Sequence, residues 1–296
     1  MTTLAPDTPP DRALRQIVAE CHADLLKYRT IVLTSRRPIG IHQTRVALRR
    51  LRAALTLFRD AVGPIEARLV RAMAAEARWL AGECGPARDL HVFLTETVED
   101  VPPLVKRIAA RLARTHLERA RAALSGARYT AFDGQLTAFV EAALPNGSAR
   151  RLDAFGSALL ERRHAKVMQR GRHLSKLGGK ELHRLRIAIK KQRYAAAFLQ
   201  PAFAARPFDS RAAKAYIEAT VRLQGALGAL NDRAVAAQML DDIAVAARPS
   251  EDVKGLLRQL AKQADSGEKR RRARLERAWK QFRKAGCFWR RPMEQT

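Results

Sequence analysis

Two stretches of this 296-residue chain set cationic side chains behind a histidine at identical spacing. In IHQTRVALRRLRAALTLF (41–58), His42 is followed by Arg45, Arg49, Arg50 and Arg52. In LHRLRIAIKKQRYAAAFL (182–199), His183 is followed by Arg186, Lys190, Lys191 and Arg193. Wound as an α-helix, His42, Arg45, Arg49 and Arg52 share a stripe about 80° wide, while Leu48, Leu51, Leu55 and Phe58 share a separate apolar arc. His183, Arg186, Lys190 and Arg193 divide in the same way from Leu185, Ile189, Ala196 and Leu199. Each stripe runs for roughly 15 Å of helix axis. A solvated charged face ordinarily carries acids at i, i+4 that relieve repulsion; neither stretch contains an Asp or Glu. Uncompensated cations on one face suit anion binding, with Arg offering a fixed fork of donors and Lys a mobile point charge. A histidine near the helix start adds a donor that protonation strengthens. The backbone N–H groups and positive dipole end of the helix favour the same ligands.

Other chemistries find less support. Neither His42 nor His183 has a His, Cys or carboxylate at i+3 or i+4, and cationic neighbours repel metal ions. His22, His91, His116, His164 and His173 form no recognisable ligand set, so no metal and no cofactor is expected. There is no Gly-rich nucleotide loop, no G-K-[ST], no HExxH and no nucleophile elbow. Phosphoryl chemistry on a polyanion calls for clustered carboxylates around divalent metal, and the acids here are dispersed. The expectation is a binding protein rather than an enzyme.

Composition agrees. Lys and Arg number 56 against 29 Asp and Glu, a formal charge of +27. Such self-repulsion calls for a polyanionic partner: nucleic acid, an anionic membrane surface or inorganic polyphosphate. A hydrophobic fraction of 47% identifies a folding chain rather than a disordered basic tail. Aromatics at 6% argue against a base-stacking surface for single strands. Cys21, Cys84 and Cys287 form no CxxC pair and read as packing residues in a reduced, cytoplasmic setting. The opening MTTLAPDTPPDRALRQ lacks an apolar signal-peptide region, and no apolar run reaches membrane-spanning length, so no membrane insertion is expected.

The elements that must position the stripes are helices. Ala, Leu and Arg dominate, and Pro/Gly clusters such as Pro38-Ile39-Gly40, Gly85-Pro86 and Gly178-Gly179 punctuate about ten helical segments. No alternating strand pattern of useful length occurs, so the fold class is all-α with short connections. The strongest break is LPNGSARRL (144–152), near the midpoint. The two basic motifs stand 141 residues apart. A second match follows at 143, where LAGECGPARDLHV from Leu80 aligns with LQGALGALNDRAV from Leu223, pairing Gly82 with Gly225, Gly85 with Gly228 and Asp89 with Asp232. Two motifs in one order at nearly one offset indicate an internal duplication, and two pseudo-symmetric helical bundles packed together. Residues 1–10 are expected to be a flexible N-terminus, 11–146 and 147–285 the two bundles, and 286–296 a tail.

The doubled motif, with GPARDLHVFL after its first copy and LGALNDRAV after its second, resembles the CHAD domain (conserved histidine α-helical domain) over about residues 11–285. The resemblance implies a single domain of two four-helix bundles related by pseudo-two-fold symmetry, with a basic groove or pore between them. It also implies binding of inorganic polyphosphate, and location at polyphosphate granules. Carried over by position, the ligand residues are His42, Arg45, Arg49, Arg50, Arg52, His183, Arg186, Lys190, Lys191 and Arg193. Asp89 and Asp232 read as structural or orienting partners of the motif arginines. Arg88, replaced by Asn231 in the second copy, reads as a peripheral contact. So do two further stripes, Arg107/Arg111/Arg114 and Arg163/Lys166/Arg170. Two departures are visible: Gln192 stands where an apolar residue is usual, and His91 where an acid often follows RDL. The triphosphatase module sometimes joined to such domains, with its E-x-E-x-K strands, has no counterpart here. Two alternatives stay open: a helical nucleic-acid-binding protein, with Gln43 or Gln192 as base readers, and a polyphosphate or triphosphate hydrolase with an unfamiliar site.

Overall fold

Proline placement explains where four of the helices begin. The computed structural model describes residues 4–35, 37–97, 101–142, 150–204, 210–247, 251–265 and 267–290, without the side chains of 96–97, 231–236, 251–252 and 262–265. Among these residues the helices are α1 (Pro10–Thr34), α2 (Pro38–Leu57), α3 (Pro64–Glu83), α4 (Gly85–Val92), α5 (Pro103–Ser125), α6 (Ala127–Glu141), α7 (Leu152–Gly171), α8 (Gly179–Leu199), α9 (Ser210–Ala246), α10 (Glu251–Asp265) and α11 (Glu268–Lys284), and no strand occurs. In α1, α2, α3 and α5 a proline is the first helical residue, where its fixed φ suits the helix and its missing N–H would have had no partner. Pro38-Ile39-Gly40, expected as a turn, is therefore the first turn of α2. Gly40 matters there, because a Cβ would stand 3.1 Å from the Val32 backbone and side chain where α1 hands over to α2.

The halves differ at one informative place. α3 and α4 are separate helices because Pro86, two residues beyond Cys84, cannot continue the ladder of α3. The matching Gly228-Ala229 has no proline, and α9 runs unbroken for 37 residues. Corresponding helices pair alike: α1 on α2, α2 on α3 and α3 on α6, then α7 on α8, α8 on α9 and α9 on α11. α2 and α8, the two motif helices, also pack on each other.

The apolar packing does not divide into one core per half. The main core runs through α1, α2, α3, the end of α5, α6, α7, α8, the first half of α9 and α11. Phe58 of the first half meets Phe155 and Phe198 of the second at ring-centroid distances of 5.4 and 6.5 Å. A smaller core joins Leu90, Phe93 and Val105 to Leu240, Ile243 and Leu260, again from both halves. Since α2 and α8 abut, their apolar arcs feed a shared interior. The midpoint break falls largely on residues 143–149, outside the described residues. Packing continues past the boundaries expected at 11 and 285. Leu4 is buried, and the Asp153 N–H donates to the Pro6 carbonyl at 3.0 Å. Phe288 and Trp289 sit in the main core, with Trp289 Nε1 donating to Glu161 at 3.0 Å.

The three cysteines are packing groups. Cys21 and Cys84 are fully buried, and burial pushes both thiols up to about 12, far from the thiolate form that reacts. Cys287 packs against the same core and its thiol is raised by burial too.

Candidate anion-binding cleft

The α2–α8 contact brings the two motifs to one place, with Lys190 at the junction. Burial, and then the guanidinium groups of Arg49, Arg186, Arg52 and Arg193, push its ammonium down from 10.5 to about 8. Two of those arginines come from α2 and two from α8, so the stripes meet. α3 completes a cleft of about 510 Å³, lined by the cations Arg49, Arg52, Arg71, Arg78, Lys190 and Lys191, with Leu57, Ile187 and Tyr194 among its apolar walls. The described lining contains no carboxylate. Burial and the nearby Arg78 lower the Arg52 guanidinium as well, the same crowding seen from α2. Such an arrangement is electrostatically costly while empty, and a polyanion relieves the cost.

The second-copy arginines carry unmet donors. Among the described residues Nε of Arg186 and of Arg193 have no acceptor although both are buried, which is uncommon enough to call for one. The Arg193 guanidinium lies 4.8 Å over the Tyr194 ring, which stacks on Phe198 and so holds that arginine in place. His42 and His183 are each the fifth residue of their helix, half-buried in α2 and exposed in α8.

Two first-copy arginines face elsewhere. Arg45 Nη2 donates to Asp89 Oδ1 at 3.1 Å, so Asp89 orients a motif arginine; burial lowers the Arg45 guanidinium pKa against that carboxylate, and the nearby Arg49 and Arg88 act in the same direction as burial. The glycine of GPARD makes that geometry possible: a Cβ on Gly85 would stand 2.8 Å from Arg45 Nη1, whereas no atom of the described residues lies within 4 Å of one on Gly228. Gly85→Ala is therefore expected to dislodge the Arg45–Asp89 bond and to destabilise only slightly, because the crowded atom is the far end of a flexible side chain. Gly228→Ala is expected to stabilise by about 0.5–1 kcal/mol through helix propensity alone. Urea unfolding of the pair checks both signs. Asp232 lies among the side chains not described.

Arg50 is the clearest departure from the residue set implied by the resemblance. One position after Arg49, it is turned by about 100° around α2 and donates to Asp24 at 3.0 Å and Glu20 at 3.2 Å on α1. It joins two helices and lies off the stripe. Its counterpart Lys191 does line the cleft. Arg163, Lys166 and Arg170 of α7 bear on Lys191 electrostatically, so that peripheral stripe adjoins the site. Arg107, Arg111 and Arg114 are exposed on α5 and line no part of the cleft.

Sequence reasoning missed Arg71 and Arg78. A signal for the first existed, because Arg68 and Arg71 match Arg211 and Lys214 at the same offset of 143 as the second motif. Arg78 has Val221 opposite it in the alignment and no such signal.

Gln192, unusual at its position, has a structural explanation. It is fully buried, and its Nε2 donates to the Tyr216 hydroxyl at 2.8 Å. That hydroxyl lies 2.9 Å from Nδ1 of His164, whose pKa is lowered by burial, so a neutral ring accepts from it. Gln192 is thus a core hydrogen-bonding residue and unavailable to a base edge. Among the described residues no group of three His, Cys, Asp or Glu side chains converges, and no helix is long and apolar enough to cross a membrane.

Comparisons with known proteins place this geometry in context. The family model of the CHAD domain matches residues 16–241. The crystal structure of the CHAD domain from the plant Ricinus communis is similar over 93% of this chain and 94% of that one, with a TM-score of 0.74 at 27% identity. PptA from Streptomyces chartreusis matches over 94% of this chain and 99% of its own with a TM-score of 0.59, a likeness of fold at 15% identity. Comparison with curated proteins returned no match.

Proposed function

The chain belongs to the CHAD domain family, and from that premise we propose that it binds linear inorganic polyphosphate, without cleaving it, in the cleft where α2, α3 and α8 meet. The observation that carries the proposal is the convergence of Arg49, Arg52, Arg186 and Arg193 on Lys190, which with Arg49 and Arg52 lines a cleft whose described lining holds no acid. A bare phosphate chain offers oxygens at every unit, and a continuous cationic stripe from each side meets them without needing base edges. Nucleic acid would share the charge term, but of the two glutamines that could read a base edge Gln192 is buried in the core and cannot serve, which leaves half-buried Gln43 of α2. The same lining supports reading the cleft as a binding site rather than a hydrolytic one, since metal-assisted phosphoryl transfer needs carboxylates close to the phosphate. By this reading the protein resides where the polymer accumulates, at cytoplasmic polyphosphate granules.

Titration with long-chain polyphosphate at rising salt, with orthophosphate followed in the same samples, tests it. Saturable binding that weakens steeply with salt, and no orthophosphate released with magnesium present, are expected. Absence of binding overturns the proposal, and release of orthophosphate overturns its non-catalytic part.

A further inference from the structure

Arg50 and Lys191 hold matching places in the two motifs, yet their surroundings are opposite. Arg50 lies between Glu20 and Asp24 of α1. Lys191 turns toward α7, which packs on α8 as α1 packs on α2, and among the described residues the charges that bear on it there are the cations Arg163, Lys166 and Arg170. Spaced i, i+3, i+7, these three share one face of α7 along about 10 Å. Arg170 Nη1 donates to the Arg184 carbonyl at 2.7 Å, fastening that face to the early turns of α8. Nε of Arg163 is buried without an acceptor among the described residues. Asp60 reaches toward this side, 3.7 Å from Arg162, where Arg59 and Arg162 outnumber it around Arg163. Lys191 belongs both to this cationic face and to the cleft lining, so one begins where the other ends.

We propose that a polyanion bound in the cleft continues past Lys191 onto the Arg163/Lys166/Arg170 face of α7, giving a one-sided extended site. The proposal rests on the reading of the cleft as a polyphosphate site. Toward α1 the chain would meet Glu20 and Asp24; toward α7 it meets three further cations. The duplication thus supplies a symmetric centre, and the charges on the flanking helices choose the direction of exit. A short phosphate oligomer fills the cleft alone, whereas a long chain also engages α7. Affinity therefore grows with chain length until α7 is covered.

The test compares tripolyphosphate with long-chain polyphosphate, using wild type, a triple variant (Arg163→Gln, Lys166→Gln, Arg170→Gln) and the exposed-site single variant Lys166→Glu. The triple variant is expected to bind tripolyphosphate as wild type does and to lose roughly tenfold against the long chain. The salt slope for the long chain should fall by about 2, the share of three contacts. Lys166→Glu should lose several-fold in the same direction, keeping the test informative should the triple variant fold poorly. Variants that bind the long chain as tightly as wild type overturn the extended site and leave the cleft intact. Equal losses against both ligands also overturn it, since the α7 cations would then act on the cleft itself. A wild type that binds neither ligand overturns the cleft reading, and this one with it.

Discussion

Arg49→Glu combined with Lys190→Glu is expected to abolish polyphosphate binding while helix content by circular dichroism stays unchanged. The two side chains come from different halves and stand at the point where the stripes meet. Each hydrogen bond from a charged group to a phosphate oxygen contributes about 1.5–3 kcal/mol. Losing two therefore lowers affinity by about 10²–10⁴-fold, before any repulsion from the new carboxylates. The fold is expected to tolerate the change because both residues line the cleft rather than the apolar core, and removing like charges relieves repulsion. A matched control is Arg107→Glu with Arg111→Glu on α5, which alters net charge equally but touches no part of the cleft. Its loss should be slight and removable by salt. Equal losses in the two double variants would reduce the site to net charge alone.

Lys190→Met is expected to make the ligand-free protein more stable at pH 7 and a weaker binder. Lys190 has a folded-state pKa near 8 against 10.5 in the open chain. Below pH 8 both states carry the charge, and the folded state bears the full cost of crowding it among four arginines. Between pH 8 and 10.5 the folded state sheds the proton first, and the cost fades. With screening by water at the cleft mouth, it amounts to about 2–3 kcal/mol. Methionine keeps the aliphatic stem and removes the charge, so thermal unfolding should rise by about 2–4 °C per kcal/mol. The gap between variant and wild type should narrow as pH climbs from 7 to 10. Polyphosphate reverses the balance for the wild type: anionic oxygens beside Lys190 restore its proton, and binding near pH 8.5 should take up protons from buffer. A variant that melts at or below wild type at pH 7 would show that Lys190 is not under repulsion. Function held at a cost in stability is common at sites that must stay charged.

How far these features were legible in the sequence depends on what each rests on. The stripes, their helices and their repetition depend on local periodicity, and a single sequence displays that. The α3–α4 break at Pro86 and the unbroken α9 opposite it are equally local, because one residue without an N–H decides them. Arg50 is different. Its place in the motif matches Lys191, and only the packing of α1 against α2 turns it onto Glu20 and Asp24. Arg71 and Arg78 enter the cleft because α3 lies beside α2 and α8, which spacing within a motif does not report. The shared core escaped for the same reason. A repeat suggests two equal bundles, but the ring contacts of Phe58 with Phe155 and Phe198 come from abutting helices. Gln192 looked like a polar anomaly in a motif; its partner Tyr216, 24 residues on, makes it a core residue.

The central claim, that the α2–α3–α8 cleft is built for a bare phosphate chain, is tested most directly by running the titration as a competition. Labelled long-chain polyphosphate would be displaced by unlabelled polyphosphate, duplex DNA, RNA or short phosphates at physiological salt. Displacement by unlabelled polyphosphate at far lower phosphate concentration than by DNA or RNA is the predicted result. Displacement by DNA or RNA at equal or lower phosphate concentration would contradict it.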